Sequence, residues 1–275
     1  MSPPSTEYML GPGAAERARL VAQAALFDDE ARWLLDRVDL PPGTRAIDVA
    51  CGPIGILPLL AERVGPAGEV VGLDRSPEML RQATDLVREH SLTNVRLVPG
   101  DAAASGLERE AFDLAHVRLL LVNVPNPAEI LAEVVALVRP GGTVALQEVD
   151  WMSWQCHPNH AAWGRLRDLL TILWRSQGLD PCIGRRLPSL LRGAGLHDVQ
   201  ARAHAGIDGP SEPYQRLLLT FVAHFAERIV AEGIATQGEI DALAADLAEH
   251  LAEPATIVVR ALTVQAWGRR EVASR

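Results

Sequence analysis

Two acids and two glycines define the chemistry open to this sequence. Asp48 closes an apolar run, Arg45-Ala46-Ile47-Asp48-Val49, and Ala50-Cys51-Gly52-Pro53-Ile54-Gly55 follows it directly. A strand that ends in an acid and turns through small residues into a helix lets backbone approach a ligand closely, because a small or absent Cβ removes the steric barrier. Asp74 ends the next apolar run, where a carboxylate can accept both hydroxyls of a ribose. Together they point to an adenosine-containing cofactor. The spacing Ala50-x-Gly52-x-x-Gly55, with Asp74 19 residues beyond Gly55, also fits the fingerprint of an NAD-dependent dehydrogenase. On the turn alone both cofactors stay open.

A second set of residues is suited to proton transfer or to holding a substrate. Glu148, Asp150 and Trp151 follow a fifth apolar run, as base or anchor candidates beside an aromatic wall. The competing reading is a carboxylate that bridges loops and a tryptophan that packs in the core. His157 and His160 are spaced HxxH, but a metal needs three or four convergent ligands and the sequence completes no such set, so no metal is expected. His157 is kept as a base candidate facing the substrate. Trp151, Trp154, Trp163 and Trp174 concentrate aromatic surface in a chain that is only 4% aromatic. Trp151 and Trp154 are candidates to bind a flat apolar acceptor, while Trp163 and Trp174 read as helix packing. Tyr8, ahead of the first helix, is a candidate to fold over the same space.

These residues need a scaffold that gathers strand ends. From residue 44 to about 149 the signals alternate: strands at 46–50, 69–74, 95–99, 112–117 and 143–148, with helices at 55–64, 77–89 and 128–138 and Ser76 as an N-cap. Apolar β-runs separated by helices imply an α/β doubly wound, mostly parallel sheet covered on both faces. Right-handed crossovers put the strand-ending turns on one edge, where ligands of such sheets bind. Residues 1–43 read as an N-terminal helical cap and 44–275 as the core. Within the core, 151–195 is a helical substrate region, with helices at 159–177 and 184–193. Residues 196–203 form a sixth strand, and 210–252 a helical lid insertion with helices at 212–232 and 237–251. The apolar run 256–267 completes a seven-stranded sheet.

Composition removes several function classes. The 275 residues are 48% hydrophobic and 22% charged, sufficient for a large buried core. Net charge is −9 with no basic cluster, whereas a nucleic-acid binder needs a positive stripe to displace counterions; no nucleic-acid partner is expected. All 26 basic residues are arginine, which excludes a Schiff-base lysine and the lysine of a phosphate-binding P-loop. Cys51, Cys156 and Cys182 are an odd number without CxxC spacing, arguing against a disulfide framework and for a reducing compartment. No leader pattern opens the chain and no apolar run approaches about 18 residues, so the expectation is a cytoplasmic protein without a membrane span.

Five motifs recur in order along the core: Ile47-Asp48-Val49-Ala50-Cys51-Gly52-Pro53; Val71-Gly72-Leu73-Asp74-Arg75-Ser76-Pro77-Glu78-Met79-Leu80; Gly100-Asp101-Ala102; Phe112-Asp113-Leu114-Ala115-His116-Val117-Arg118; and Leu137-Val138-Arg139-Pro140-Gly141-Gly142-Thr143. In this order and spacing they resemble the class I S-adenosylmethionine-dependent methyltransferases, and within them the ubiquinone-biosynthesis-like small-molecule branch. The likeness extends to Gly184-Arg185-Arg186-Leu187-Pro188 and Gln265-Ala266-Trp267-Gly268-Arg269-Arg270, so it covers most of the chain. It implies a Rossmann-like methyltransferase fold, S-adenosyl-L-methionine as cofactor, and methyl transfer to a small apolar or aromatic metabolite of a specialised or quinone-like pathway. It also implies roles. Asp48 and the backbone of Ala50, Cys51 and Gly52 face the methionine part, and Gln23 closes over it. Asp74 holds the ribose, with Arg75 and Met79 beside the adenosine. Asp101 accepts from the adenine amino group and Ala102 donates its amide. Val117 and Arg118 flank the cofactor near the transferring methyl.

The chain departs from that pattern at the turn, where relatives have glycine in place of Ala50 and Ile54 and Gly55 falls one position late. Ile54 is expected to reshape the pocket floor and weaken the cofactor's hold. Relatives often carry histidine at Asn123 and aspartate at Asn126, so a step assisted by that histidine is closed to this chain. Two other function classes compete: a cofactor-bound cyclase or non-catalytic partner of the same fold, and an NAD-dependent dehydrogenase. An apolar N-terminal helix permits a homodimer.

Overall fold

The computed structural model describes residues 27–210, 212 and 214–272. Tyr8 and Gln23 lie outside the described residues. The strands are β1 Arg45–Val49, β2 Glu69–Asp74, β3 Val95–Pro99, β4 Phe112–Arg118, β5 Val138–Asp150, β6 Gln155–His157, β7 Leu196–His204, β8 Ile207–Asp208, β9 Ile257–Val259 and β10 Leu262–Arg270. The helices are α1 Asp28–Leu35, α2 Leu57–Val64, α3 Pro77–Glu89, α4 Pro127–Leu137, α5 Ala161–Ser176, α6 Leu187–Gly193, α7 Leu217–Ala231 and α8 Gln237–His250.

Seven strands form the central sheet in the order β3-β2-β1-β4-β5-β10-β7. The first five are parallel, and β10 runs antiparallel between β5 and β7. Strands alternate their side chains between faces, so this register sorts the core into two layers. Ile47, Val71, Ala115, Val117, Leu146 and Val264 pack with α4 and α6 on one face. Ala46, Val70, Leu114, Ala145 and Trp267 pack with α1 and α2 on the other. Helix α3 is set by Pro77 in its first turn and by Ser76, whose hydroxyl accepts the Met79 amide at 3.3 Å.

A third cluster stands apart from the sheet. Ala162, Trp163, Leu166, Leu169, Leu170, Leu173 and Trp174 mark a helical stripe on α5. That stripe meets Leu218, Val222, Phe225 and Ile229 of α7 and Ile240 and Leu247 of α8. Each leucine so buried contributes about 2 kcal/mol relative to exposure. Helix α5 of the expected substrate region therefore packs with α7 and α8 of the expected lid insertion, whereas α6 packs on the main sheet. Trp151 touches both the sheet cluster and the lid cluster.

Two sequence expectations require correction. The apolar run 256–267 is two strands, not one. Strand β9 joins β6 and β8 in a separate three-stranded antiparallel sheet, and only β10 enters the main sheet. The break falls at Arg260, whose amide donates to Gly206 O at 2.9 Å and whose guanidinium forks onto buried Asp208, with Nε to Oδ2 at 2.6 Å. This small sheet brackets α7 and α8 in the chain, with β8 before them and β9 after. The fifth strand is also longer than 143–148, running back to Val138 and on to Asp150.

Candidate active site

Backbone geometry makes the turn after β1 a cradle. Ala50, Gly52 and Gly55 all take left-handed φ values of 57°, 57° and 52°. That conformation costs an L-residue about 1–2 kcal/mol, and Ala50 carries the cost. A Cβ on Gly55 would lie 1.9 Å from Asp48 Oδ2, while one on Gly52 would meet nothing within 4 Å. Gly55 thus makes room for the acid beneath the turn, and Gly52 keeps the space above it clear. Ile54 is not among the left-handed residues. The turn's demand for glycine falls at 55, where the chain has one.

Two carboxylates hold this turn. Asp48 is buried; its Oδ2 accepts the Ile56 amide at 3.0 Å and its Oδ1 lies 2.8 Å from His116 Nδ1. Asp74, at the end of β2, accepts the Gly52 amide on Oδ2 and the Ser76 amide on Oδ1, both at 2.9 Å. Burial raises its carboxyl above the usual range, with the two amides pulling the other way. One lone pair on each oxygen remains for a diol. The Cys51 amide donates to Leu73 O at 3.0 Å, and burial pushes the Cys51 thiol well up.

Further along the same edge, Gly100 donates to Asp74 O at 3.1 Å, which brings the end of β3 against the end of β2. Asp101 is exposed and accepts the Ala103 amide at 2.8 Å, while Ala102 is half-buried against the sheet cluster. Met79 is buried under this edge and Arg75 is exposed at its rim. Asp48 near the end of β1, Asp74 at the end of β2 and Asp101 just past β3 therefore lie along one edge, in the order of three adjacent strands.

The face of the sheet that meets α1 carries a polar layer above its apolar one. Asp48 pairs across strands with His116, Arg118 with Gln147, and Gln147 with Gln265. Gln265 Nε2 donates to Gln147 Oε1 at 3.1 Å and to Glu30 O of α1 at 2.9 Å. Glu30 Oε1 lies 2.8 Å from His204 Nδ1. Arg118 reaches from β4 to the cradle, Nη2 donating to Gly55 O at 2.9 Å; burial lowers its pKa below the usual arginine value. Because a carboxylate only accepts, His116 Nδ1 carries the proton toward Asp48. Of this layer only Asp48 and Arg118 were foreseen. His116 and Gln147 did leave a signal, as polar residues on one face of otherwise apolar strands. Val117, between His116 and Arg118, points to the opposite face and is buried in the sheet cluster.

Beyond β5 the base candidates are engaged with the protein. Glu148 is fully buried, with Oε1 2.6 Å from the Leu121 amide and the Leu120 and Val122 amides also directed at it. Burial raises its pKa to about 8 despite these amides, and Oε2 has no partner among the described residues. Asp150 is forked by Arg185 at 2.6 and 2.8 Å and accepts the Met152 amide at 3.2 Å. His157 is exposed on β6. Trp151 is half-buried, its ring 5.4 Å from Trp154, 5.5 Å from Trp174 and 5.2 Å from Phe221. Trp154 is buried edge-on against Trp163 at 5.3 Å.

Residues 40–173 match a family described as a methyltransferase domain. Over 127 residues the chain is 38% identical to a demethylmenaquinone methyltransferase from Geobacillus sp., covering 45% of this chain and 54% of that protein. Over 120 residues it is 40% identical to an uncharacterized 37.1 kDa transposon protein from Streptomyces fradiae, covering 44% and 34%. The chain thus spans about half or less of these relatives' length. A putative methyltransferase from Bacillus halodurans shares the fold, with a TM-score of 0.56 at 16% identity over 89% of this chain and 99% of that one. The sheet order and the cradle after β1 agree with these likenesses: residues 40–173 are similar to a methyltransferase domain, and the chain shares the fold of a putative methyltransferase.

Proposed function

We propose that this chain transfers a methyl group from S-adenosylmethionine to a small apolar or aromatic metabolite of a quinone-like class. The observation that carries this is the edge array: Asp48, Asp74 and Asp101 at the ends of three adjacent strands around a left-handed turn that is open above Gly52. The donor set fits the cofactor. Asp74 offers acceptors to a ribose diol, Asp101 and the Ala102 amide an acceptor and a donor to adenine, and Met79 and Arg75 border the adenosine. The cradle backbone from Ala50 through Cys51 to Gly52 faces the methionine end, above Asp48. Val117 backs the strand end from the core, and Arg118 reaches across it.

Once bound, S-adenosylmethionine supplies a sulfonium-activated methyl and its own leaving group. The chain's contribution is alignment and exclusion of water, which can account for much of the acceleration. Trp151, half-buried where the two clusters meet, walls the acceptor side with an aromatic face suited to a flat apolar ring, and Trp154 backs it from the core. Among the base candidates, Asp150 is committed to Arg185 and His157 is turned to solvent. Glu148, fully buried with a pKa near 8, is mostly protonated at neutral pH and bound to the turn after β4. We assign Glu148 and Asp150 positioning roles on the acceptor side rather than proton abstraction.

Among the described residues no helix is long and apolar enough to cross a membrane. The proposal includes a cytoplasmic setting, supported by three unpaired cysteines, and permits a homodimer, which light scattering tests. Calorimetric titration with S-adenosylhomocysteine is the direct test of function. Micromolar binding is expected, and absence of binding at high micromolar concentration sinks the proposal. Conversion of a quinone-like acceptor without release of S-adenosylhomocysteine would instead favour a cyclase.

A further inference from the structure

Between β3 and β4, residues 101–110 belong to no helix and to neither sheet. The first two of them, Asp101 and Ala102, are the ones proposed above to meet adenine, so the path of this loop decides where they stand. One polar residue is its foot. Ser105 is buried, while Asp101, Ala103, Ala104, Gly106 and Glu108 around it are exposed. A bridge between Asp101 and Ala104 folds the loop back, with the Ala104 amide donating to Asp101 O at 3.1 Å. Ser105 O then lies against Gly100, where a Cβ would come within 3.3 Å of it. Holding Ser105 therefore holds the small hairpin that displays Asp101.

The group that holds it comes from another element. Helix α4 buries Ile130, Leu131, Val134 and Leu137, and among them Glu133 is a buried acid. Its Oε1 accepts the Ser105 amide at 3.0 Å and the Ser105 hydroxyl at 2.5 Å, and its Oε2 accepts Arg109 Nη1 at 2.6 Å. Ser105 Oγ in turn accepts the Leu107 amide at 3.2 Å. Burial raises a carboxyl, yet Ser105 and Arg109 hold this one below its usual range, so it is charged at neutral pH. A charged group in the apolar stripe of a helix is costly unless it is paired. Both residues that pair with it lie on the loop after β3.

We propose that Glu133 is a positioning residue that makes this chain selective for an adenine base. It acts from beneath the loop: by gripping Ser105 and Arg109 it sets the Asp101 carboxylate and the Ala102 amide at the spacing of the adenine amino group and the ring nitrogen beside it. Without that grip the hairpin shifts, and a purine with the opposite donor and acceptor pattern is refused less strongly. This rests on the function proposed above and adds what fixes the choice of base.

The test titrates the full chain by calorimetry with S-adenosylhomocysteine and with S-inosylhomocysteine, in which an oxygen replaces the amino group and the neighbouring ring nitrogen carries a proton. The wild-type protein should prefer the adenine ligand by about 10- to 100-fold, the range for a mismatched donor and acceptor pair. Glu133→Gln keeps the shape but gives up the charge, and should cut that preference to under about 5-fold. Ser105→Ala removes the hydroxyl from the other side of the same contact, leaves α4 untouched and should move the preference in the same direction; it decides the matter if Glu133→Gln does not fold. Hydrogen exchange in the ligand-free variants should quicken at 101–107 and stay unchanged across β1 and β2. A preference that keeps its wild-type value in both variants overturns the inference. So does an equal weakening of both ligands, which an acid with a merely structural role would produce, and so does a wild-type protein that binds the two ligands alike. If the wild-type protein binds neither ligand, the proposed function falls and takes this inference with it, a result distinct from the other three.

Discussion

Replacing Glu148 by glutamine tests whether this carboxyl is a neutral anchor. Glu148 is fully buried with Oε1 on the Leu121 amide, and its pKa is raised from an ordinary 4.5 to about 8. Between those two values the folded chain keeps a proton that the unfolded chain has released. Stability must then fall as pH rises: the contribution is complete below about 4.5, shrinks through neutrality and is gone above about 8. At about 1.4 kcal/mol per tenfold change in proton affinity, the full span is about 5 kcal/mol. Glutamine has the same shape, keeps an acceptor for the Leu121 amide and stays neutral throughout. Urea denaturation of both proteins from about pH 5 to about pH 9 should give stabilities within about 1 kcal/mol at the acid end. At the alkaline end the variant should be more stable by about 3–5 kcal/mol. A difference that does not change with pH refutes the reasoning. So does a variant less stable at pH 9, since the ionised carboxylate would then be what the loop amides require.

Four other outcomes follow from the cradle and from the small sheet beside α7 and α8. Gly55→Ala forces a Cβ to within 1.9 Å of Asp48 Oδ2 at a left-handed position, and should cost at least about 2 kcal/mol in thermal unfolding; a neutral variant would mean that the turn relaxes freely. Ala50→Gly removes the left-handed penalty and should raise stability by about 1 kcal/mol, with any loss counting against the observed φ. Asp74→Asn should weaken S-adenosylhomocysteine about 10- to 100-fold with little change in Tm, and undiminished affinity would remove Asp74 from the ribose. Asp208→Ala strips the carboxylate from Arg260 and should cost about 2–4 kcal/mol, with new proteolytic cuts near 206–216; an unchanged digest would show that the lid is anchored elsewhere.

Much of the central sheet was legible because its parallel strands are buried on both faces and leave apolar runs bounded by turns. The acids at the ends of β1, β2 and β3 were legible because they interrupt those runs. The three-stranded sheet was not. Strands β6 and β9 have three residues each and β8 has two, too short to impose a period. The break at Arg260 is made by a partner 52 residues away. His116 and Gln147 were visible as polar residues in apolar strands, but their meeting with Asp48 and Arg118 depends on β4 lying between β1 and β5. At the turn the backbone adds what the glycine pattern lacks: the left-handed position is Gly55, one residue past Ile54, and the chain has its glycine there.

The separate core of α5, α7 and α8 bears on where this chain tolerates change. Helices α7 and α8 lie wholly beyond the segment that matches the methyltransferase family, and they bury their apolar faces against α5 rather than against the sheet. Their contact with the sheet layer runs chiefly through Trp151 and the short strands around β9. Mutations in α7 and α8 can therefore accumulate without straining the cradle or its acids. Substitutions buried among α5, α7 and α8 should change the stability of that helical core while the turn after β1 and the acids of the sheet edge keep their geometry.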